Sequence, residues 1–488
     1  MREKTLDRAD FRARLPAMRL RKTKLIATIG PACADPALLE GMIRAGMDVA
    51  RFNLSHGDLD GHARMVDSVR EVVHRVGANV ATLIDTRGNE IRTGELKGGV
   101  ALLQAGSNFT LHTQSGLGDE SGVSVSFESL AKAVSPGDRV LIDDGKIELS
   151  VVSVRKGIVA CQIECGGTLR DRKGVNLPDT DLSREVMDPS TQADLGFAAS
   201  CGAEYLAASF VQTARDVLDI RRFLEAERAD IPIIAKIENR LGVDNLDEII
   251  ATANGAMVAR GDLGVELPFA EVPHVQKRII RATVSSGKPV ITATQMLDSM
   301  ERNPRPTRAE VSDVANAILD GSSAVMLSGE TAAGLHPVAA VQTMADLAME
   351  AENSLEEFGT LQHVLPSASD AVVEAVAQAA ITMANRLEAA AIIALTDTGF
   401  TARTISKFRP RSPILAVTRS QAVRRRLALN WGVMPIHYRG EGDDDTRVSF
   451  AVQHALKIGH LQRGDLIVAT AGRSQKTGGT DMIQVLRV

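Results

Sequence analysis

The sequence contains few aromatic residues and few cysteines. Of its 488 residues, 3% are aromatic and four are cysteine: Cys33, Cys161, Cys165 and Cys201. Proteins that bind single-stranded nucleic acid stack bases on aromatic side chains, so this composition argues against that class. A chain of this length with so few cysteines, none of them in a CxxC pair, indicates a reduced, intracellular protein. We therefore expect a cytoplasmic location.

The sequence also lacks long apolar segments and an excess of positive charge. It has no run of about 18 apolar residues, so no transmembrane helix is predicted. The net charge of −5 and the pI of about 6.1 argue against a basic surface for nucleic acid. Residues 1–20 are rich in arginine but have no apolar h-region, which predicts a short helical or frayed arm rather than a secretory signal. Glu3, Asp7 and Asp10 argue against a transit peptide.

The rest of the composition is that of a folded globular chain. Hydrophobic residues make up 44% and charged residues 24%, and the length favours about three domains. Short apolar runs alternate with segments of helical period, one of which, 308–320, begins with a capping box of Thr307 and Glu310 and stops at Gly321. The apolar runs are 24–29, 48–53, 80–85, 205–210, 233–236, 256–259, 289–294 and 324–328. Eight such strands, each covered by a helix, predict a (β/α)8 barrel of the α/β class.

One long interruption and one change of pattern define the other domains. Between the third and fourth runs, alternating segments at 140–142 and 147–154 flank a turn at 143–146, which predicts a hairpin. We assign residues 95–181 to a small inserted β domain, the lid. It follows a strand and so leaves the barrel at the C-terminal face, where barrel active sites lie.

The barrel then comprises residues 21–94 and 182–352, and residues 353–488 form a C-terminal α/β domain with an open sheet. The signals for this last domain are a helix at about 370–386 and strands at 390–395, 414–418, 433–437 and 466–470.

Polar side chains lie at the C-terminal ends of five of the predicted barrel strands. They are Arg51, Asn53, Ser55 and His56; Asp85; Lys236 and Glu238; Arg260, Gly261 and Asp262; and Thr294. Because residues two apart in a strand share a face, Lys236 is expected beside Glu238, and Arg260 beside Asp262. Polar groups at five strand ends on one edge indicate a catalytic site rather than isolated structural ion pairs.

The composition of this edge indicates phosphoryl transfer. Glu238 and Asp262 are hard oxygen ligands of the kind that suits Mg²⁺. Positive charge comes from Arg51, Arg92, Lys173, Lys236 and Arg260. Phosphoryl transfer needs cations and positioning more than nucleophiles. The segment 260–264 is expected to open a short helix whose N–H groups hold a carboxylate or phosphate. The sequence has no Walker A motif and no kinase HRD–DFG set, which argues against an ordinary nucleotide-first kinase. A lone histidine after a strand more often contacts substrate than acts as a base, so we do not expect base catalysis by His56.

Eight stretches of the sequence resemble the pyruvate kinase family, from about residue 23 to the C-terminus. They are TKLIATIGPAC (23–33), GMDVARFNLSHG (46–57), DTRGNEIRTG (85–94), KGVNLP (173–178), SFV (209–211), IIAKIEN (233–239), MVARGDLGVELP (257–268) and the run from TATQMLD to SGETA (292–332). The resemblance implies a cytoplasmic homotetramer that transfers a phosphoryl group from phosphoenolpyruvate to ADP, giving pyruvate and ATP in the last step of glycolysis.

The resemblance also implies roles for single residues. The catalytic residues would be Lys236, Arg51 and Thr294, and the phosphoenolpyruvate contacts Arg51, Lys236, Gly261, Asp262, Thr294, Ser209 and Arg92. The nucleotide contacts would be Pro31, Asn53, His56, Arg92 and Lys173. The Mg²⁺ ligands would be Glu238 and Asp262, and the K⁺ ligands Asn53, Ser55, Asp85 and the carbonyl of Thr86. At the position of Glu90, family members that have Glu require K⁺, whereas those that have Lys do not. Arg87, Asn89 and Leu241 replace the family's usual Lys, Pro and acid.

The C-terminal domain contains a candidate site for an anionic phosphate effector. The residues that match the family's effector loop are Thr396, Thr398, Gly399 and Thr401, and residues 472–480 would close over them; Phe400 stands where Arg is common. The alternative is an ordinary strand-to-helix turn. Two other functions stay open at this point: another barrel enzyme acting on phosphoenolpyruvate or an oxo acid, and a non-catalytic effector sensor. The sensor would be expected to have lost Lys236, Glu238 or Asp262, and all three are present.

Overall fold

A computed structural model describes residues 21–88, 90–180, 186–359, 371–472 and 479–488. The predicted arm (1–20), Asn89 and most of the loop at 472–480 lie outside the described residues. Strands and helices are numbered below in chain order. Within the described ranges no helix has the length and apolar character needed to cross a membrane.

Eight parallel strands close into a barrel, which confirms the predicted fold class. The strands are β1 (Lys24–Thr28), β2 (Val49–Asn53), β3 (Ala81–Asp85), β13 (Tyr205–Ala208), β14 (Ile233–Ile237), β15 (Gly255–Ala259), β16 (Val290–Ala293) and β17 (Ala324–Leu327), in the closed order β1-β17-β16-β15-β14-β13-β3-β2. Their residues are almost all buried on both faces, as expected for parallel strands covered by helices. Each predicted strand agrees with the observed one to within two residues.

Helices cover the outside of the barrel. They are α1 (Pro36–Ala45), α2 (Leu59–Val76), α4 (Pro189–Ser200), α5 (Ala214–Ala226), α6 (Arg240–Asp244), α7 (Leu246–Thr252), α8 (Arg260–Glu266), α9 (Val272–Ser285), α10 (Arg308–Leu319), α11 (Gly329–Ala332), α12 (Pro337–Asn353) and α13 (Leu355–Phe358). Helix α10 begins at the predicted capping box, in which Thr307 and Glu310 each bind the other's backbone N–H. It is followed by Gly321 at φ 108°, a conformation that glycine adopts without strain.

The insertion between β3 and α4 is a sheet domain with its own core. It contains β4 (Ile91–Arg92), β5 (Val100–Leu103), β6 (Asn108–His112), β7 (Gly122–Ser124), α3 (Leu130–Ala133), β8 (Arg139–Ile142), β9 (Ile147–Arg155), β10 (Ile158–Cys165), β11 (Gly167–Arg170) and β12 (Gly174–Asn176). The predicted hairpin is the antiparallel pair β8 and β9. The buried apolar cluster of this domain consists entirely of residues between Ile91 and Leu177.

The C-terminal domain is a five-stranded open sheet in the order β20-β19-β18-β21-β22. Its elements are α14 (Ala371–Arg386), β18 (Ala391–Leu395), α15 (Phe400–Lys407), β19 (Ile414–Thr418), α16 (Gln421–Arg426), β20 (Val433–His437), α17 (Asp444–Lys457), β21 (Leu466–Ala471) and β22 (Met482–Arg487). The four predicted strands are present. The edge strand β22, which pairs antiparallel with β21, was not predicted.

A segment of the C-terminal domain closes the N-terminal end of the barrel. Ala428 and Leu429 pack in the same buried cluster as interior residues of the barrel strands, among them Ile26 and Met257. The two domains therefore share part of one core.

The four cysteines are free thiols in different environments. Cys33 and Cys161 are buried, Cys201 is half-buried and Cys165 is exposed on the lid. Burial raises the pKa of Cys33 and Cys161, that of Cys161 to about 12. Burial likewise raises the pKa of Cys201 to about 11.

Candidate active site

A network of four charged side chains lies at the C-terminal ends of β2, β3 and β14. Arg51 donates from Nε to Asp85 Oδ2 at 2.7 Å and from Nη1 to Thr28 Oγ1 at 2.9 Å. The Nζ atom of Lys236 is 3.1 Å from Asp85 Oδ1 and 2.9 Å from Glu238 Oε1. Asp85 is fully buried, and Glu238 is 1% exposed. The two cations are therefore held in fixed positions by two carboxylates that water hardly reaches.

The ionisation of this network follows from its mutual contacts. Burial opposes charge on Lys236, but the carboxylates of Asp85, Glu238 and Asp262 raise the pKa of its ammonium above the usual value. Burial likewise opposes charge on Asp85, but Lys236 and Arg51 hold the pKa of this carboxyl below its usual range. Both groups therefore stay charged near neutral pH.

Backbone around Ser209 completes the network. Lys236 also donates to Ser209 Oγ at 2.7 Å, and Ser209 Oγ donates to the carbonyl of Thr86 at 2.7 Å. Glu238 accepts a hydrogen bond of 2.6 Å from the N–H of Phe210. Thus Ser209, Thr86 and Lys236, which were predicted separately, are directly connected.

The two predicted Mg²⁺ ligands are neighbours. Burial raises the pKa of Asp262, and the negative charge of the neighbouring Glu238 carboxylate raises it further. A pair of crowded carboxylates that resist joint ionisation is the donor set that a divalent cation would relieve. Within the described residues no cluster of three or more His, Cys, Asp or Glu side chains could hold a metal alone. The residues therefore fit an ion that takes its remaining oxygen ligands from substrate and water.

Gly261, Asp262 and Thr294 meet at the ends of β15 and β16. The N–H of Gly261 donates to Thr294 Oγ1 at 3.3 Å, and Thr294 has a φ of 71°, which is unusual for a β-branched residue. The expectation that Arg260 and Asp262 share a strand face was wrong, because β15 ends at Ala259 and both residues lie in α8.

Arg260 does not supply free positive charge to the site. Its Nη1 donates to both carboxylate oxygens of Asp313, at 2.7 and 2.6 Å. Its Nη2 donates to the carbonyl of Thr294 at 2.6 Å. The Arg260 side chain therefore fixes the backbone of Thr294.

The predicted K⁺ and nucleotide residues surround the network. Asn53 accepts from the N–H of Ser55 at 3.2 Å, at the end of β2 and next to Asp85. Pro31 and His56 are exposed at the same end of the barrel, after β1 and β2. Just before the lid, Arg92 pairs with Glu90 at 2.5 Å, and in the lid Lys173 pairs with Asp143 at 2.8 Å. A hydrogen bond of 2.9 Å from Asn176 to Glu266 links β12 to α8.

The candidate effector residues lie together between β18 and α15. The Thr396 side chain is buried, Gly399 precedes α15 at φ 83°, and Thr401 Oγ1 is 2.6 Å from Thr480 Oγ1. Thr398 is exposed and its carbonyl accepts from Arg403 at 3.1 Å. Asp397 pairs with the buried Arg447 at 3.1 Å.

Comparisons with known proteins agree with this architecture. A family model described as the pyruvate kinase barrel domain matches residues 20–341, and one described as the pyruvate kinase alpha/beta domain matches residues 374–486. A pyruvate kinase of Geobacillus stearothermophilus is 46% identical over 469 residues, covering 95% of this chain and 80% of its own. One from Staphylococcus saprophyticus is also 46% identical, over 96% of this chain and 80% of its own.

A solved structure gives the same result. The crystal structure of a pyruvate kinase from Cryptosporidium parvum superposes with a TM-score of 0.90 at 38% identity, covering 96% of each chain. The chain belongs to the pyruvate kinase family. Its activity is pyruvate kinase catalysis, a phosphotransferase reaction.

Two residues of this pyruvate kinase site were missed in the sequence. Asp194 is fully buried and accepts from the Arg87 backbone N–H at 2.7 Å and from its guanidinium at 2.6 Å, so it anchors the loop after β3. Asp313 fixes Arg260, as described above. Both lie on helices, outside the strand-end pattern, and their partners are distant in sequence. No signal in the sequence connects them.

Proposed function

We propose that the phosphoryl group of phosphoenolpyruvate passes to ADP at the network of Arg51, Asp85, Lys236 and Glu238. In this reaction the bond from phosphorus to the enol oxygen breaks and a bond from phosphorus to a β-phosphate oxygen of ADP forms. The enolate left behind takes a proton at C3 and becomes pyruvate. The observation that supports the proposal is the pair of cations held rigidly at the barrel end, because such transfers rely on positioning and charge stabilisation.

In this proposal each residue has a defined task. Lys236 and Arg51 stabilise negative charge on the transferring group and on the enolate oxygen. The N–H groups of Gly261 and Asp262 and the hydroxyl of Thr294 hold the carboxylate, and Thr294 also belongs to the relay that delivers the proton to C3. The remaining phosphoenolpyruvate contacts are Ser209 and Arg92.

The family is generally metal-dependent, and we assign two ions to this chain. Glu238 and Asp262 would hold Mg²⁺, which when bound supplies positive charge to phosphoryl and carboxylate oxygens. Asn53, Ser55, Asp85 and the carbonyl of Thr86 would hold K⁺. The nucleotide would lie over Pro31, Asn53, His56 and Arg92, with Lys173 reaching it from the lid. A second Mg²⁺ would arrive with the ADP.

The remaining assignments concern the whole chain. We assign 1–20 to an arm, 21–94 and 182–352 to the barrel, 95–181 to the lid and 353–488 to the C-terminal domain, in a cytoplasmic homotetramer. The segment with Thr396, Thr398, Gly399 and Thr401 is the candidate loop for an anionic phosphate effector. Sedimentation equilibrium tests the tetramer directly, and a monomer or dimer at micromolar concentration would contradict it.

A lactate dehydrogenase-coupled assay tests the catalytic proposal. We expect NADH oxidation only when phosphoenolpyruvate, ADP, Mg²⁺ and K⁺ are all present. Each of the four is omitted in turn as a control. No turnover in the complete mixture would leave the non-catalytic sensor as the function. Turnover without ADP would show transfer to water rather than to a nucleotide.

A further inference from the structure

The peptide unit between Thr86 and Arg87 lies just after β3 and is held from both sides. Its N–H, which belongs to Arg87, donates to Asp194 Oδ2 at 2.7 Å. Its carbonyl, which belongs to Thr86, accepts from Ser209 Oγ at 2.7 Å. Because a peptide unit is rigid and planar, its N–H and its carbonyl can only move together. The position of the Asp194 carboxylate therefore fixes the direction in which the Thr86 carbonyl points.

Asp194 has the properties of a fixed anchor. It is fully buried and lies on α4, the helix that follows the lid in the sequence. Its Oδ1 also accepts from the Arg87 guanidinium, from Nη2 at 2.6 Å and from Nε at 3.0 Å. Hydrogen bonds from one residue to both oxygens leave this carboxylate little freedom to rotate.

The Thr86 carbonyl connects this anchor to the charged network. Ser209, which donates to the carbonyl, itself accepts from Lys236 Nζ at 2.7 Å. Thr86 and Ser209 are joined a second time, because the N–H of Ser209 donates to Thr86 Oγ1 at 3.1 Å. A continuous chain of hydrogen bonds thus leads from Asp194 through the 86–87 peptide and Ser209 to Lys236.

The residues next to this chain are packed tightly. A Cβ atom at Gly88 would overlap the ring of Phe210, so the ring lies directly against the backbone after the 86–87 peptide. The N–H of Phe210 donates to Glu238 at 2.6 Å. The loop after β3 and the loop after β13 therefore hold each other, and Asp194 contacts the first of them from the side of α4.

Asp194 also affects the strength of the Thr86 carbonyl as an ion ligand. Hydrogen bonds in a chain polarise one another, so a carboxylate at the N–H increases the negative charge on the carbonyl oxygen of the same peptide. Among the proposed K⁺ ligands the charged one, Asp85, is already paired with Arg51 and Lys236. The neutral ligands, including this carbonyl, therefore matter more for holding the ion.

We propose that Asp194 is a positioning residue for the monovalent cation and acts through the 86–87 peptide. This inference rests on the proposed function, which assigns K⁺ to Asn53, Ser55, Asp85 and the Thr86 carbonyl. Asp194 holds the carbonyl at a fixed position and direction. Without the carboxylate the peptide is free to tilt, and the ion loses a ligand that was in place before it bound.

A K⁺ titration of wild-type enzyme and Asp194→Ala tests the proposal, at constant ionic strength with a tetraalkylammonium salt as filler. We expect the K⁺ concentration for half-maximal rate to rise on the order of tenfold or more, as for loss of a hydrogen bond to a charged group. At saturating K⁺ most of the rate should return, because Asp85 and Glu238 still hold Lys236. Asp194→Asn should give a smaller rise, because its amide oxygen can still accept from the Arg87 N–H.

A second measurement follows the ion without turnover. In the presence of phosphoenolpyruvate and Mg²⁺ but no ADP, K⁺ should raise the unfolding temperature of the wild-type protein, since a ligand that binds the folded state stabilises it. The K⁺ concentration needed for this rise should increase in Asp194→Ala by about the same factor as in the rate measurement.

Two control variants separate this role from a purely structural one. Arg87→Lys removes the guanidinium but keeps the backbone N–H, so it should retain the wild-type K⁺ requirement. Asp188→Ala removes the N-cap of α4, where Asp188 accepts from the N–H of Thr191 at 2.7 Å, and leaves the 86–87 peptide untouched. It should lower the unfolding temperature without changing the K⁺ requirement.

The possible failures are distinguishable. Wild-type enzyme that turns over fully without K⁺ and is not stabilised by it would reject the ion assignment, and the role of Asp194 with it. If the wild type requires K⁺ but a folded Asp194→Ala variant has the same requirement, only the role of Asp194 is rejected. An equal rise in Asp188→Ala would also reject it. If Asp194→Ala does not fold, Asp194→Asn decides, and a requirement identical to the wild type would refute the proposal.

Discussion

Lys236 keeps its charge in a place where burial opposes it. Three carboxylates, those of Asp85, Glu238 and Asp262, raise the pKa of its ammonium. The side chain is 13% exposed and makes hydrogen bonds or ion pairs to Asp85, Glu238 and Ser209. Its geometry is thus fixed before any substrate arrives, which is the condition for stabilising charge that develops during a reaction.

Removing this ammonium should nearly abolish turnover. We expect Lys236→Met to lower kcat on the order of 10²–10³-fold, as for loss of one preorganised charge donor. The coupled assay measures the rate, and the unfolding temperature shows that the protein is folded. Lys132→Met, at an exposed lysine of the lid, is the matched control. A folded Lys236→Met enzyme with near-normal turnover would rule out the assigned role.

Glu90 is close enough to Asp262, one of the proposed Mg²⁺ ligands, for its charge to influence that carboxyl. Burial and Glu238 raise the pKa of Asp262 most, and Glu90 adds to this effect. A lysine here would supply a positive charge in the region where K⁺ is proposed to bind. We therefore expect wild-type activity to depend strongly on K⁺, and Glu90→Lys to lose most of that dependence at some cost in maximal rate, partly because it breaks the pair with Arg92.

A K⁺ titration of both proteins at constant ionic strength, with a tetraalkylammonium salt as filler, measures this dependence. Glu95→Lys is the control: Glu95 pairs with Arg172 on the lid surface, so this variant should retain the wild-type requirement. Full wild-type activity without K⁺, or an unchanged requirement in Glu90→Lys, would contradict the assignment.

The elements that carry the site are connected by side chains as well as by the sheet. Arg260, at the start of α8, joins the end of β16 to α10 through the carbonyl of Thr294 and the carboxylate of Asp313. Thr294 has a backbone conformation that is costly for a threonine. The link between these elements stabilises that conformation.

Shortening the link should misplace Thr294 without removing a group that contacts substrate. We expect Arg260→Lys to lower kcat on the order of 10²-fold, because lysine has one nitrogen and cannot hold both Asp313 and the carbonyl of Thr294 as the arginine fork does. Small displacements of reacting groups are costly. A positioning role predicts that kcat falls while KM for ADP stays constant. Arg308→Lys is the control, because Arg308 is exposed and lies on α10, the helix that carries Asp313. Equal losses in both variants would assign the effect to the helix rather than to the link.

How accurately the sequence predicted each strand or helix depended on the kind of element. Parallel barrel strands are buried on both faces, so they occur in the sequence as continuous apolar runs. For this reason all eight were located to within two residues. The capping box of α10 and the hairpin of β8 and β9 have local signals of their own. Strand β22 has no such run, and its residues are mostly half-buried or exposed.

The candidate active site was predictable only in part for the same reason. Lys236, Glu238, Arg51 and Asp85 lie at the C-terminal ends of strands, and the topology brings strand ends together. Asp194 and Asp313 lie on helices and meet their arginine partners 107 and 53 residues away in sequence. Such pairings depend on how the helices pack in three dimensions, and the hydrophobic periodicity of the sequence carries no information about that packing.

The molecule contains separate cores, and this separation predicts what can be removed. The lid core lies wholly between Ile91 and Leu177, and Ile91 is paired with Val175 across β4 and β12, so the two ends of the insertion are adjacent. Replacing residues 91–177 by two glycines should leave a folded, cooperatively unfolding barrel. Turnover should collapse, because the lid is proposed to exclude water and to bring Lys173 to the nucleotide, and because Arg92 is removed with it.

Circular dichroism and thermal unfolding test the folding of the truncated chain, and the coupled assay tests its turnover. The double variant Arg92→Ala/Lys173→Ala, with the lid present, separates the loss of the two charges from the loss of water exclusion. Normal turnover without the lid would refute its role. Failure of the truncated chain to fold would refute its independence.

The barrel and the C-terminal domain, in contrast, share core residues. Leu429 is fully buried among residues of the barrel interior. We expect Leu429→Ala to lower the free energy of unfolding by about 2–5 kcal/mol and to destabilise both domains together, as measured by urea unfolding. Leu387→Ala, at a leucine that is 41% exposed, is the control. Destabilisation of only one domain would contradict the shared core.

The distribution of the thiols makes the unmodified chain suitable for spectroscopy. Cys33, Cys161 and Cys201 are at least half-buried and have raised pKa values, whereas Cys165 is exposed on the lid. Alkylating reagents react with accessible thiolates, so a maleimide fluorophore at neutral pH should attach at Cys165. Movement of the lid against the barrel would then change the emission of a single dye, and domain closure during turnover could be followed in real time without altering the sequence.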